Sequence, residues 1–287
     1  MSSLLFDRPF KPILAWQGSK QNILGDILIE IYATNFTGTY YEPFIGGGSV
    51  LLALQPERAV INDLNLQLVN LWRCVADDVE AFKDAYCACN PDIITSEDYY
   101  TRRDEHNQYR HDNTTGFRAA AIFVWCVKSA FNGQYRVGKK SGNMNATWDW
   151  RKKQTPMLWD NLRNISRYLR DNDVTIMCGD FESAISSANE GDLIYADPPY
   201  GVGTNEPAYT VNTYGGFDIK NDSERVARVL ADAPCYVVAS NNDNDYVRHL
   251  YPPDKWKRRR VFVRRNFHGS LGRIDYSRRP ELIMSKR

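Results

Sequence analysis

The apolar positions along this chain change their spacing in a repeating order. From Gln17 to Tyr32, Ile23, Leu24, Ile27, Leu28 and Ile31 recur every three or four residues, the period of a helix with one buried face. A strand ending near Thr39-Tyr40-Tyr41-Glu42-Pro43-Phe44 follows, then Gly46-Gly47-Gly48, a short helix from Ser49 to Gln55, and a second strand over Ala59-Val60-Ile61-Asn62-Asp63. Three later runs, Val174 to Cys178, Leu193 to Ala196 and Cys235 to Ala239, read as further buried strands. They lead into Gly179-Asp180-Phe181, Asp197-Pro198-Pro199-Tyr200 and Ser240-Asn241-Asn242. The alternation predicts an α/β fold with a doubly wound, mostly parallel sheet. Its ligand is then expected over the carboxyl ends of the strands, where these polar groups collect.

Between the two α/β stretches the period is helical. Arg118 to Phe131 carries Ala121, Ile122, Val124 and Trp125 on a helical pattern, and Asn132-Gly133 is a hairpin-type turn signal. A basic and aromatic ribbon follows, Tyr135 to Lys140 and Asn145 to Lys153, of a kind suited to entering a nucleic-acid groove. Gly201 to Phe217 lacks apolar periodicity and reads as a mobile flap. Asn221-Asp222-Ser223 offers a cap for a helix carrying Val226, Val229 and Leu230. Val261-Phe262-Val263 and Leu282-Ile283-Met284 read as two strands of a hairpin.

Composition narrows the classes. The 287 residues are 43% hydrophobic and 25% charged, which fits one large or two unequal globular domains. The sequence has no apolar stretch of membrane-spanning length, and Met1 to Asp7 lacks the pattern of a signal peptide, so a cytoplasmic protein with no membrane association is expected. Six scattered cysteines and four histidines form no ligand spacing, so reduced thiols and no metal are expected. The net charge of +1 conceals an asymmetry. Twelve Lys and Arg lie between Lys255 and Arg287 against only Asp275 and Glu281, leaving the remainder acidic. A polyanion docked in one orientation would account for that, and the arm from Arg264 through Arg279 is expected to grip phosphates.

The chemistry is concentrated at Asp197-Pro198-Pro199-Tyr200. Consecutive prolines cannot donate to a sheet ladder, so pairing stops there and the backbone carbonyls are left to point outward. A carboxylate and a carbonyl can hold both hydrogens of an exocyclic amine on a nucleobase and localise its lone pair, while the tyrosine stacks on the ring. This is catalysis by positioning and electrostatics. Asp63, closing the second strand, suits a ribose diol, and the glycine run lacks the dinucleotide spacing, which favours a cofactor without phosphate such as S-adenosylmethionine.

Trp16-Gln17-Gly18-Ser19-Lys20, Glu42 to Gly48, Asn62-Asp63, Phe131-Asn132-Gly133 with Tyr135-Arg136, Gly179-Asp180-Phe181 and Asp197 to Tyr200 stand in the order found in Dam-like N6-adenine DNA methyltransferases, which the chain resembles over nearly its whole length. The resemblance implies a seven-stranded sheet of the S-adenosylmethionine-dependent methyltransferase type in residues 1–71 and 172–287, with a target-recognition insert in 72–171. It implies that Lys20 meets the cofactor's methionine carboxylate, that Trp16, Phe44, Gly46 and Gly48 surround it, and that Asp180 and Phe181 hold its adenine. Asp197, Pro198, Pro199 and Tyr200 would clasp a flipped adenine. Asn132, Tyr135, Arg136, Arg264 and Arg273 would contact double-stranded DNA, bound by a monomer, with GATC the first expectation for the target. The chain departs from many relatives at Ala15, where Lys is usual, and at Gln134, where an apolar residue is usual. On the residues alone, cytosine N4, RNA or a glutamine side chain remain as alternative acceptors, as does a DNA-binding protein without activity. Pro234-Cys235 enters an apolar strand, which argues against a C5 thiolate mechanism.

Overall fold

Five parallel strands form the centre of the computed structural model, which describes residues 10–89, 95–138, 140–150, 155–200, 217–264, 267–268, 274–275 and 278–287. They are β1 (Tyr40–Glu42), β2 (Arg58–Asp63), β3 (Asp173–Cys178), β4 (Leu193–Ala196) and β5 (Tyr236–Asn242). With β6 (Lys257–Arg264) and β9 (Arg278–Lys286) they make a seven-stranded sheet of order β3-β2-β1-β4-β5-β9-β6, in which β9 runs opposite to the other six strands. Two residues each of β7 (Phe267–His268) and β8 (Ile274–Asp275) pair separately. The expected hairpin is present, with Arg260 opposite Leu282 and Val261 opposite Glu281.

Side chains alternate across this sheet with period two, and each face has its own core. Tyr40, Tyr195, Val238 and Ile283 belong to one hydrophobic cluster; Tyr41, Ile194, Ala196, Val237, Ala239, Leu282 and Met284 belong to the other. The first face carries α1 (Leu24–Tyr32), α2 (Ser49–Leu54) and α3 (Leu66–Asp77), together with the insert helices. The second carries α8 (Phe181–Ile185), α9 (Ile219–Asp232) and α10 (Asp245–Leu250).

The insert comprises α4 (Val79–Cys87), α5 (Ser96–His111), α6 (Phe117–Ser129) and the ribbon that precedes α7 (Trp159–Asp171). Every side chain of α6 from Ala119 to Val127 is buried, so this helix reads as apolar all round and forms the axis of the insert. Thr95 and Asp98 close a capping box at the start of α5. The ribbon is reduced to isolated antiparallel bridges, Val137 with Met144 and Ala130 with Trp148, and Asn132-Gly133 is a 3₁₀ turn with Asn132 at φ +56°. One core runs from α1 through α3 into α6, so the helices of the insert share their packing with the sheet.

Two element boundaries differ from expectation. β5 continues through Ser240-Asn241-Asn242 instead of ending before them, because β9 pairs alongside as far as Asn242 opposite Glu281. The cap of α9 is Asp218, whose side chain accepts from the Asn221 N–H; Asn221 and Asp222 already lie in the first turn. Residues 201–216 of the expected flap, and Arg273, lie outside the described residues. All six cysteines are free thiols, and no helix among the described residues is long and apolar enough to cross a membrane.

Candidate active site

A cavity of about 220 Å³ opens over the carboxyl ends of β1, β2, β3 and β4, and the residues around it come from both ends of the chain. Trp16, Lys20, Phe44, Gly46, Gly48, Asp63, Asp180, Phe181, Asp197, Pro198, Pro199 and Tyr200, all singled out in the sequence, line it. Glu42, Phe217, Asp222 and Arg225 line it too.

Packing dictates the glycines of its floor. Gly48 sits at φ +70°, and a Cβ there would lie 2.5 Å from the Trp72 ring; at Gly46, φ +48°, it would lie 3.0 Å from Trp16. Only a residue without a side chain fits both the backbone and the neighbours. Trp72 Nε1 donates to the Gly46 carbonyl at 3.1 Å and pins the loop. Asp63 accepts from Gly46 N at 3.1 Å and Asn65 N at 2.9 Å, and burial pushes its carboxyl up to about 6 against those hydrogen bonds. Phe44 and Phe181 face each other with ring centroids 5.3 Å apart. A buried carboxylate at the end of β2, a bare glycine loop and paired aromatic rings fit the ribose, the chain and the base of an adenosyl sulfonium.

Period two explains the polar end of the cavity. Glu42 follows Tyr40 by two residues, Asp197 follows Tyr195, Ser240 follows Val238, and Glu281 precedes Ile283, so all four acidic or hydroxyl groups sit on one face of adjacent strands. Lys20 Nζ, only 5% exposed, lies 2.7 Å from Asp197 Oδ2, also donates to the Gly18 carbonyl, and stands 4.6 Å from the Tyr200 ring centroid. Ser240 Oγ donates to Asp197 Oδ1 at 3.0 Å and is itself 2.9 Å from the Tyr195 hydroxyl. Burial raises the Asp197 carboxyl above its usual range, Lys20 opposes that, and the Glu281 charge adds to it. Glu42 accepts from Tyr40 and from Leu51 N, and burial pushes it up to about 8, so it is mostly protonated at neutral pH.

The site residues also have partners within the protein, and one of them, Tyr135, stands differently from the expectation. Lys20 has Asp197 as its partner. Both Asp180 oxygens are engaged, Oδ1 by Glu182 N at 2.9 Å and Oδ2 by Arg225 Nη2 at 2.5 Å, and the Arg225 guanidinium lies 4.4 Å from the Phe181 ring centroid. Tyr135, expected at DNA, is a core residue: 1% exposed, stacked on Trp16 at 5.4 Å, and hydrogen-bonded to His106 and Arg110. Asn132 is exposed, while Arg136 is half-buried and bonded to Asn145. Trp150 is 75% exposed and Trp148 half-buried. Arg264 ends β6, and its side chain lies outside the described residues.

The basic arm is also reassigned in part. Lys257 pairs with Glu30 at 2.9 Å, Arg259 with Asp26 at 2.5 Å, and Arg260 with Asp243. Arg258 donates to the Arg248 carbonyl, Lys286 to the carbonyls of Ala231 and Ala233, and Arg287 to that of Ala33. Among the described residues, six of these cations therefore hold the hairpin to the body.

Residues 16–263 match the family model described as the D12 class N6 adenine-specific DNA methyltransferase. The chain is 31% identical over 245 residues to the Type II methyltransferase M1.LlaDCHI of Lactococcus lactis subsp. cremoris, covering 84% of each. It is 30% identical over 261 residues to the Type II methyltransferase M.MjaIII of Methanocaldococcus jannaschii, covering 84% of this chain and 88% of that one. It is 26% identical over 259 residues to a DNA adenine methylase of Haemophilus influenzae, covering 88% and 86%. A glycine-floored cavity closed by Asp197-Pro198-Pro199-Tyr200, a seven-stranded sheet and a family match over most of its length agree, and the chain belongs to the D12 class of N6 adenine-specific DNA methyltransferases.

Proposed function

We propose that this adenine methyltransferase holds its target amine between Asp197 and the Pro198 carbonyl, against Tyr200. The observation that carries this reading is the convergence of Lys20 and Ser240 on Asp197 at the cavity end. A carboxylate has about four lone-pair sites, so with one bond to each partner both oxygens keep room for an amine hydrogen. Held by two acceptors, the amine directs its lone pair into the cavity rather than into its own ring, and the low-polarity surroundings strengthen that preference. S-adenosyl-L-methionine, the cofactor of this family, supplies a methyl carbon activated by a sulfonium. Asp63 takes the ribose diol, Phe44 and Phe181 enclose the adenine, and Arg225 fixes Asp180 beside it. Trp16 and the Gly46 to Gly48 loop border the methionine chain, with Lys20 shared between that chain and Asp197.

Residues 72–171 serve recognition of double-stranded DNA, with Asn132 and Arg136 at the surface and Arg264 and Arg273 on the phosphates. The protein acts as a monomer, in the cytoplasm where its DNA lies. GATC is the first target sequence to test. The Type II names of two relatives fit a modification role beside a restriction enzyme.

Transfer of labelled methyl from S-adenosylmethionine, compared on double-stranded DNA, RNA and protein, tests the reading. Label is expected on adenine of double-stranded DNA alone. Asp197→Ala is expected to lower turnover by roughly 10²–10³-fold while calorimetry shows nearly unchanged cofactor affinity. Unchanged turnover in that variant would remove Asp197 from the mechanism.

A further inference from the structure

Glu281 is one of only two acids in the basic C-terminal arm, and it is 3% exposed. It occupies the middle of β9, opposite Asn242 of β5 on one side and Val261 of β6 on the other. Strand alternation turns it to the face that carries Asp197 and Ser240, and Oε2 accepts from the Tyr200 hydroxyl at 3.2 Å. A buried carboxylate is unfavourable unless hydrogen-bonded, and here a partner is the aromatic residue of the Asp-Pro-Pro-Tyr segment.

We infer that Glu281 is a positioning residue for methyl transfer, which fixes the ring plane of Tyr200 against which the target adenine stacks; this rests on the reading of Asp197 and Tyr200 given above. An aromatic ring at the end of a strand can turn about χ1 and χ2. A charge-assisted hydrogen bond at its far end removes that freedom before the base arrives. Ser240 restrains Asp197 from β5 in the same way, so the two halves of the clasp are held from two successive strands of the sheet. Glu281 also lies three residues from Arg278, which pairs with Arg264 toward the end of the hairpin. The strand that orients the stacking ring therefore continues into the segment assigned to phosphate contact.

Single-turnover methyl transfer on DNA with Glu281→Ala, Glu281→Gln, Tyr200→Phe and the Tyr200→Phe/Glu281→Ala double variant tests this. Glu281→Ala and Tyr200→Phe are each expected to slow transfer roughly tenfold, the usual consequence of losing one buried hydrogen bond in the bound state, without changing cofactor affinity. The double variant is expected to be no slower than the slower single variant, and Glu281→Gln, which keeps an acceptor oxygen, to recover most of the rate. Multiplicative losses in the double variant, or Glu281→Gln as slow as Glu281→Ala, would overturn the inference. Should Glu281→Ala fail to fold, Tyr200→Phe decides: wild-type transfer in it overturns the role of the hydroxyl. An inactive Asp197→Ala beside a fully active Tyr200→Phe would sink Glu281 alone, whereas an active Asp197→Ala would sink the clasp itself.

Discussion

Asp197 is caught between opposed influences, and the balance sets how the enzyme should respond to pH. Burial favours its neutral form, Lys20 at 2.7 Å favours the ionised form, and the nearby Glu281 charge works with burial. Only the ionised carboxylate offers acceptors at both oxygens, so methyl transfer is expected to fall as pH drops through the raised folded value. Glu42, the other acid on this face, is mostly protonated near neutrality and gains charge only toward about pH 8. Lys20→Met removes that opposing cation, so the pH at which activity fails should move upward. The loss should be greatest at the acidic end and should shrink as pH rises. A profile of single-turnover rate against pH, taken at saturating cofactor, checks this; an acidic limb that stays in place or moves downward would mean that Lys20 serves the cofactor only.

Between neighbouring elements many contacts are ionic, and they mark out cations that hold the fold. Lys257 and Arg259 reach back from β6 to Glu30 and Asp26 on α1. Arg259→Ala is expected to lower stability by at most about 1 kcal/mol, since Arg259 and Asp26 are partly exposed, and Lys257→Ala by about 1–3 kcal/mol, since it takes a partner from the buried Glu30; both should leave DNA affinity nearly unchanged. Arg264→Ala and Arg278→Ala should instead flatten the plot of log affinity against log salt by about 1 apiece, and filter binding across a salt series distinguishes the two groups. The sequence showed the hairpin clearly, because apolar residues alternate on both strands. It could not show that Lys257 and Arg259 were paired, since their partners lie more than 200 positions earlier. The ends of β1, β2 and β4 were legible for a similar local reason: apolar runs stop at prolines or at Asp63. The start of α9 was not, because Asp218, Asn221 and Asp222 are all good capping residues and local preference cannot choose among them. Ser240 stands in the sequence among the polar groups at the strand ends, but nothing local marks it as the partner of Asp197, or Glu281 as the partner of Tyr200. Counting residues in steps of two from Val238 and Ile283 places both on the face of Asp197, but only the strand order makes them neighbours.

Across the whole molecule, the cavity and the helical insert share one core, and Tyr135 joins them. An aromatic residue beside Arg136 in a basic ribbon reads as groove-facing, yet its ring stacks on Trp16 and its hydroxyl meets His106 and Arg110. Burial holds the His106 imidazole down to about 3, so it stays neutral throughout the working range and this junction carries the Arg110 charge alone. Trp16 in turn lies against Gly46 of the cofactor loop. Removing the ring should therefore be felt at the cofactor before it is felt at DNA. Tyr135→Ala is expected to cost about 3–5 kcal/mol of stability and to weaken cofactor binding roughly tenfold, because Trp16 loses its stacking partner. Tyr135→Phe keeps the ring and strands the groups bonded to the hydroxyl, so it should cost about 1–3 kcal/mol and leave cofactor affinity intact. Calorimetry with S-adenosylmethionine and denaturant titration of both variants separate these outcomes. Weakened DNA binding in Tyr135→Phe with unchanged stability would return Tyr135 to the groove.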